Sequence, residues 1–345
     1  MNNPKSEMER GGTEWDNPKS EKGEYTMTQQ NMLDKTAVVG AGLMGGQIGL
    51  ILAMGSRETV LMSRRRCSTD LTLENLGRYA DDLHRHGLLF GGTPEEVLAR
   101  VRTTNSLEEA VDGAEFVVES VFEDLDVKRE VFAQMDAAAP EDAILASNSS
   151  SIPTTKMAEV AGRPERIVGS HFVQPAHIAP VVEVIRGART SDETVQRTRD
   201  HWQSLGKTPL LVKVDLPGFL VNRLQHAIIR EAVSLLAKGI ASAEDIDTAV
   251  SIGLGLRFTT AGPLEQRDIN GIGTHARVAG YLWKELAGWE EPLAYLREKV
   301  DRGELGLDVG RGFYDWTGVD PLSVRRKKDE ALLRQVRMVT ESESL

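Results

Sequence analysis

Cysteine is nearly missing from this chain. Cys67 is the one thiol among 345 residues, which excludes an intrachain disulfide and fits a reducing, cytoplasmic setting. Clusters of Cys and His at zinc spacing are missing as well, so no metal is expected. No signal peptide is recognisable, and no apolar run approaches the ~20 residues that span a bilayer. Excess positive charge is also lacking. Lys and Arg number 41 against 52 Asp and Glu, a net charge of -11, which argues against nucleic acid or anionic membrane as a partner. The 40% hydrophobic and 27% charged content is that of a globular protein long enough for two domains.

Residues 1–33 are polar and lack a hydrophobic period. Asn3-Pro4-Lys5-Ser6-Glu7 recurs there as Asn17-Pro18-Lys19-Ser20-Glu21. The segment reads as a disordered leader, with Met27 or Met32 as alternative starts. Across 34–215, short apolar runs (37–39, 59–62, 116–121, 143–146, 166–169, 181–185 and 210–214) alternate with helical patterns. Continuous apolar strands between helices predict an α/β fold with a doubly wound, mainly parallel sheet. Past residue 215 the strands vanish. Helical patterns at 220–238, 243–252, 273–286 and 292–302 predict an all-helical second domain over 216–318. Residues 319–345 read as a charged, solvated tail helix.

Gly40, Gly42 and Gly45 are spaced G-x-G-x-x-G between the first strand and the first helix. In a dinucleotide-binding turn the first glycine allows the tight bend. The second admits a pyrophosphate to bare backbone, and the third lets helix and strand close together. Roughly 20 residues further on, such folds place an acid that reads the ribose hydroxyl. This chain has Ser63-Arg64-Arg65-Arg66 there. A hydroxyl beside guanidinium groups suits a phosphate, so NADP is favoured and NAD is the alternative.

His171 ends a strand-like run at the sheet edge where ligands collect. Glu183 interrupts the apolar run Val181-Val182-Glu183-Val184-Ile185. A buried carboxylate needs a partner, and pairing with His171 would make a base of fixed tautomer. His84, His86, His177, His201, His226 and His275 read as surface or packing residues.

Several ordered motifs resemble the 3-hydroxyacyl-CoA dehydrogenase family over about residues 35–318. They are Gly40-Ala41-Gly42-Leu43-Met44-Gly45, Val-Val-Glu-Ser-Val-Phe-Glu (117–123), Ser-Asn-Ser-Ser-Ser-Ile-Pro (147–153) and His-Phe-Val-Gln-Pro (171–175). Val-Glu-Val (182–184), Pro-Gly-Phe-Leu-Val-Asn-Arg (217–223) and Gly-Arg-Gly-Phe-Tyr (310–314) complete the series. The resemblance implies a Rossmann-type coenzyme domain and a helical domain through which two copies dimerise. It implies catalytic roles for Ser150, His171, Glu183 and Asn222, with His171 taking the hydroxyl proton and Ser150 and Asn222 binding the reacting oxygen. It also places Leu43, Met44, Glu123 and Lys128 among the cofactor contacts.

Departures bear on substrate. Gln174 replaces the family's Asn, Asp308 stands where acyl-CoA enzymes carry lysine, and the CoA-facing basic residues on the helix after strand two are poorly matched. The stretches 222–231, 253–257 and 262–265 are more similar to the branch holding L-gulonate 3-dehydrogenase, lambda-crystallin and carnitine dehydrogenases. The expected activity is hydride transfer at the 3-hydroxy or 3-keto group of a carboxylate-bearing small molecule. Arg257, Gln174 and Ser150 would contact that substrate, with Arg257 clamping the carboxylate unless it serves a salt bridge such as one to Glu265. Alternatives are an acyl thioester dehydrogenase, on CoA or a carrier protein, and a catalytically silent crystallin-like protein.

Overall fold

The computed structural model describes residues 32–64, 66–288 and 290–342. The elements run β1 (Leu33–Val39), α1 (Leu43–Met54), β2 (Ser56–Met62), α2 (Arg66–Arg85), α3 (Pro94–Leu98), β3 (Val101–Thr104), α4 (Leu107–Val111) and β4 (Phe116–Glu119). Next come α5 (Leu125–Ala138), β5 (Ile144–Ser147), α6 (Thr154–Ala158), β6 (Ile167–Phe172), β7 (Val181–Ile185), α7 (Asp192–Ser204) and β8 (Thr208–Val212). The remaining helices are α8 (Val221–Ala237), α9 (Ala243–Thr248), α10 (Leu256–Phe258), α11 (Pro263–Asn270), α12 (Ile272–Leu282), α13 (Glu290–Asp301) and α14 (Pro321–Ser342).

The strands form one sheet in the order β3-β2-β1-β4-β5-β6-β7-β8. Alternate side chains feed two cores: Val38 enters one with Ile48, Leu61 and Trp202, while Ala37 and Val39 enter the other with Val117, Phe132 and Leu145. Burial on both faces is why these strands read as unbroken apolar runs. The chain leaves β1 toward β2 and β3 on one side and returns to β4 on the other. The crevice at that reversal is where ligands bind in such sheets. All pairs are parallel except β6 and β7, which are antiparallel. A connection of only residues 173–180 cannot carry a crossover helix, so it returns the chain as a hairpin.

β3 lies outside the sequence expectation. At the sheet edge it buries little, and its one large apolar residue, Val101, leaves no apolar run to find. The helical pattern expected over 243–252 divides into α9 and a π-helical segment, Ala249–Gly255. The tail corrects its sequence reading. Leu333 of α14 is 1% exposed, Leu332 and Val336 pack on the first core, and Glu330 Oε1 lies 3.0 Å from Nε2 of His86, the residue just past α2. A charged helix with apolar residues at 332, 333 and 336 has one buriable face, and that face is docked. Residues 1–31, most of the expected leader, lie outside the described residues. Among those described, no helix is long and apolar enough to cross a membrane.

Candidate functional site

The turn after β1 has the geometry that its glycines require. Gly40 has φ +112, and a Cβ there would lie 2.5 Å from the Ser120 carbonyl oxygen. A Cβ on Gly45 would meet the Gly40 carbonyl at 1.9 Å, whereas a Cβ on Gly42 would meet nothing within 4 Å. Two glycines therefore serve close packing, and the third faces open space. That space is a cavity of about 590 Å³ walled by Gly40, Gly42, Ser63, Arg64, Ser120 and Phe122 among others. α1 begins beside it with no side-chain cap and no acid in its first turn, which leaves amides and positive partial charge for an anion. These residues fit a nicotinamide dinucleotide.

Ser63 and Arg64 reach the cavity from the end of β2. Edge strand β3 helps hold them: Ser63 N–H donates to Thr104 O at 3.1 Å, and Asn105 Nδ2 donates to Ser63 O at 2.6 Å. Arg65 lies outside the described residues. Leu43 borders a second, smaller cavity with Thr72, Asn75 and Tyr79, while Met44 packs on the core.

Glu123 organises the serine turn after β5. Its Oε1 accepts from Ser149 Oγ (2.6 Å), Ser150 N (3.0 Å), Ser151 N (2.9 Å) and Ser151 Oγ (3.1 Å). Lys128 is buried behind it, 3.2 Å from Glu123 Oε2 and 2.7 Å from Glu119 Oε1. Burial works to raise the Glu123 pKa. The Ser149 hydroxyl, the Lys128 charge and the Ser151 amide outweigh it and bring the group down to about 2. Lys128 thus braces Glu123 and the serine turn and does not itself line the cavity.

His171 and Glu183 stand opposite each other in the antiparallel β6–β7 register, and Nδ1 lies 2.6 Å from Oε2. His171 is 4% exposed and Glu183 fully enclosed. The second oxygen of Glu183 accepts the amides of Leu220 (2.6 Å) and Val221 (3.0 Å) at the start of α8. Burial opposes ionisation of Glu183, but the hydrogen bonds from His171, Val221 and Leu220 prevail and lower its pKa. In the next turn position, Asn222 Nδ2 donates to Ser150 O at 3.2 Å. The start of α8 therefore links two hydrogen-bonded pairs: Glu183, bound to His171, takes the amides of Leu220 and Val221, and the adjacent Asn222 reaches the Ser150 carbonyl.

Two neighbours of these residues escaped the sequence reading. Asn148 Oδ1 accepts from Phe172 N at 3.0 Å, tying the serine turn to the end of β6. Phe219 adopts φ 48, unusual for a residue with a Cβ, and its buried ring sits 5.5 Å from the His171 ring. Only the adjacent Pro217-Gly218 hinted at such a turn. Gln174 is exposed in the β6–β7 connection. Arg257 pairs not with Glu265 but with Gln266: its Nη2 donates to Oε1 at 3.2 Å, and Gln266 Nε2 donates to the Arg257 carbonyl at 3.2 Å.

Comparison with known proteins places this geometry. The sequence model for 3-hydroxyacyl-CoA dehydrogenase, NAD binding domain, matches residues 35–215, and that for the C-terminal domain matches 218–316. The 5-formyl-3-hydroxy-2-methylpyridine 4-carboxylate 5-dehydrogenase of Mesorhizobium japonicum is 33% identical over 83% of this chain and 92% of its own. A solved structure of a dehydrogenase of that activity, described as NAD+ dependent, superposes with a TM-score of 0.83 at 31% identity, covering 90% of this chain and 99% of the other. The (S)-3-hydroxybutyryl-CoA dehydrogenase PaaH1 of Ralstonia eutropha gives a TM-score of 0.67 at 33% identity over 83% and 99%. Rabbit lambda-crystallin is 35% identical over 68% of this chain and 74% of its own, so that branch is represented among relatives that extend beyond it. The chain belongs to the 3-hydroxyacyl-CoA dehydrogenase family of nicotinamide-dependent oxidoreductases, with a Rossmann NAD-binding domain followed by the family's helical C-terminal domain.

Proposed function

We propose that this enzyme interconverts a 3-hydroxy and a 3-keto group on a small carboxylate-bearing molecule. The observation that carries the reading is the enclosed His171–Glu183 pair, tied through the α8 N-terminus to the Asn222–Ser150 contact. With Nδ1–H donated to the carboxylate, Nε2 has the lone pair that accepts a hydroxyl proton, and Glu183 stabilises the imidazolium. Ser150 and Asn222 orient the reacting oxygen. A nicotinamide dinucleotide held at Gly40, Gly42 and the α1 N-terminus supplies the hydride donor or acceptor. Ser63 and Arg64 favour NADP, because neither repels a 2′-phosphate and a guanidinium can pair with one.

Arg257 is the proposed carboxylate fork, assisted by Gln174. The pyridine relative, whose name includes a carboxylate, supports a free acid, while relatives named as 3-hydroxybutyryl-CoA dehydrogenases keep a thioester as the second reading. We take residues 34–215 as the coenzyme unit and 216–318 as the unit completing the cleft and pairing two copies. Exposure of Leu264 (82%), Ile269 (71%) and Trp283 (66%) supports that pairing, since such apolar surface marks an interface.

Turnover of a panel of 3-keto acids and their CoA thioesters tests the substrate class. A free acid should be preferred, and Arg257→Lys should raise its KM with little change in melting temperature. Preference for the thioester, unaffected by Arg257→Lys, would overturn the acid reading.

A further inference from the structure

The β6–β7 connection is gripped at one residue from two sides. Gln47 Oε1 accepts the Ala176 amide at 2.8 Å. Lys207 Nζ donates to the carbonyls of Ala176 at 2.8 Å and Ala179 at 2.9 Å. Gln47, Ala176 and Lys207 are all buried. Gln47 belongs to α1, which begins at the glycine turn, and Lys207 directly precedes β8. The neighbouring His177 packs its ring on Tyr79 of α2, with centroids 4.2 Å apart.

Burying an amine and an amide costs free energy that an apolar side chain of similar length would not incur. What these two groups supply is therefore geometric. Burial pushes Lys207 down to about 7, and its Nζ reaches both carbonyls of the connection. The connection they hold begins two residues after His171 and carries Gln174.

We propose that Gln47 and Lys207 are positioning residues for hydride transfer, clamping Ala176 so that β6 and its His171 stand in fixed register with the coenzyme helix. The proposal rests on the dehydrogenase reading above. Positioning matters because a displacement of about 1 Å can cost about 10²-fold in rate.

The test compares Gln47→Met, which removes the acceptor and keeps the volume, with Gln47→Glu, which keeps an acceptor, and with Lys207→Met. Gln47→Met and Lys207→Met should each lose tenfold or more in kcat, on the order expected for misalignment. Coenzyme Kd and substrate KM should stay within about twofold, as for loss of an interaction made in the transition state. The double variant should lose no more than the worse single, since both act on Ala176, and Gln47→Glu should recover most of the rate. In proton NMR the downfield His171 Nδ1–H signal should shift in Gln47→Met, a readout needing no substrate. A lower melting temperature with unchanged kcat and an unmoved His171 signal would overturn the proposal. Should Lys207→Met fail to fold, Gln47→Met alone decides it. His171→Ala in the same assay separates the two claims: if it retains full activity, the dehydrogenase reading itself has failed.

Discussion

Glu183 divides its two carboxylate oxygens between His171 and the start of α8. Oε2 lies 2.6 Å from His171 Nδ1, and Oε1 takes the amides of Leu220 and Val221. One enclosed side chain thus orients the His171 imidazole and anchors the first helix of the helical domain to the sheet. An anion at a helix N-terminus is favourably placed, and here it is also the partner that fixes the imidazole.

Substitutions at Glu183 should separate these two duties. Glu183→Gln retains an acceptor for the α8 amides but loses the charge, so turnover should fall tenfold or more, a part of the 10²–10⁴ typical of acid–base catalysis. Glu183→Ala should additionally destabilise the fold by about 0.5–2 kcal/mol through the lost cap. Urea midpoints and steady-state rates on both variants measure this.

Glu123 should make stability depend on pH in a defined window. Its folded pKa of about 2 lies below the ordinary 4.5, so its stabilising effect is complete above the unfolded value. It is lost as pH falls from 4.5 toward 2. Glu123→Gln should therefore be less stable than the parent at pH 7, and the gap should close across that acid range. Denaturant midpoints of the two proteins against pH supply the check.

Coenzyme preference should follow the residues at the end of β2. A charge-assisted contact to the 2′-phosphate contributes about 1.5–3 kcal/mol, or about tenfold or more in affinity. The parent should bind NADPH more tightly than NADH, and Ser63→Asp with Arg64→Ala should reverse the order. Fluorescence titration with both coenzymes reads the result.

The docked tail makes a stability prediction of its own. Leu333→Ala removes a side chain that is 1% exposed and should cost about 2–5 kcal/mol if α14 unfolds with the domain. A lower calorimetric transition for the whole coenzyme domain is expected, rather than separate melting of the tail.

Legibility in the sequence followed burial. The inner strands announced themselves because both faces are covered, and Glu183 stood out as an acid within an apolar run. Edge strand β3 lacks that signature. The link from Glu183 to α8 was hidden because it depends on Phe219 turning the chain at φ 48, which no periodicity encodes. Lys207 follows Gly206 in a polar turn, so nothing local distinguishes it from a surface lysine. The apolar spacing of α14 at 332, 333 and 336 is present in the sequence, but the many charges around it made the helix read as solvated. Its contact at the other end, His86 just past α2, lies 244 positions from Glu330, beyond the reach of local pattern.

The central claim is that His171 moves the proton of the reacting hydroxyl. Its most direct test is nicotinamide oxidation or reduction by His171→Ala, followed by absorbance with coenzyme and a turned-over hydroxy or keto substrate at saturation. The account predicts a loss of about 10²–10⁴ in kcat with coenzyme affinity unchanged. Turnover by His171→Ala close to that of the parent would contradict it.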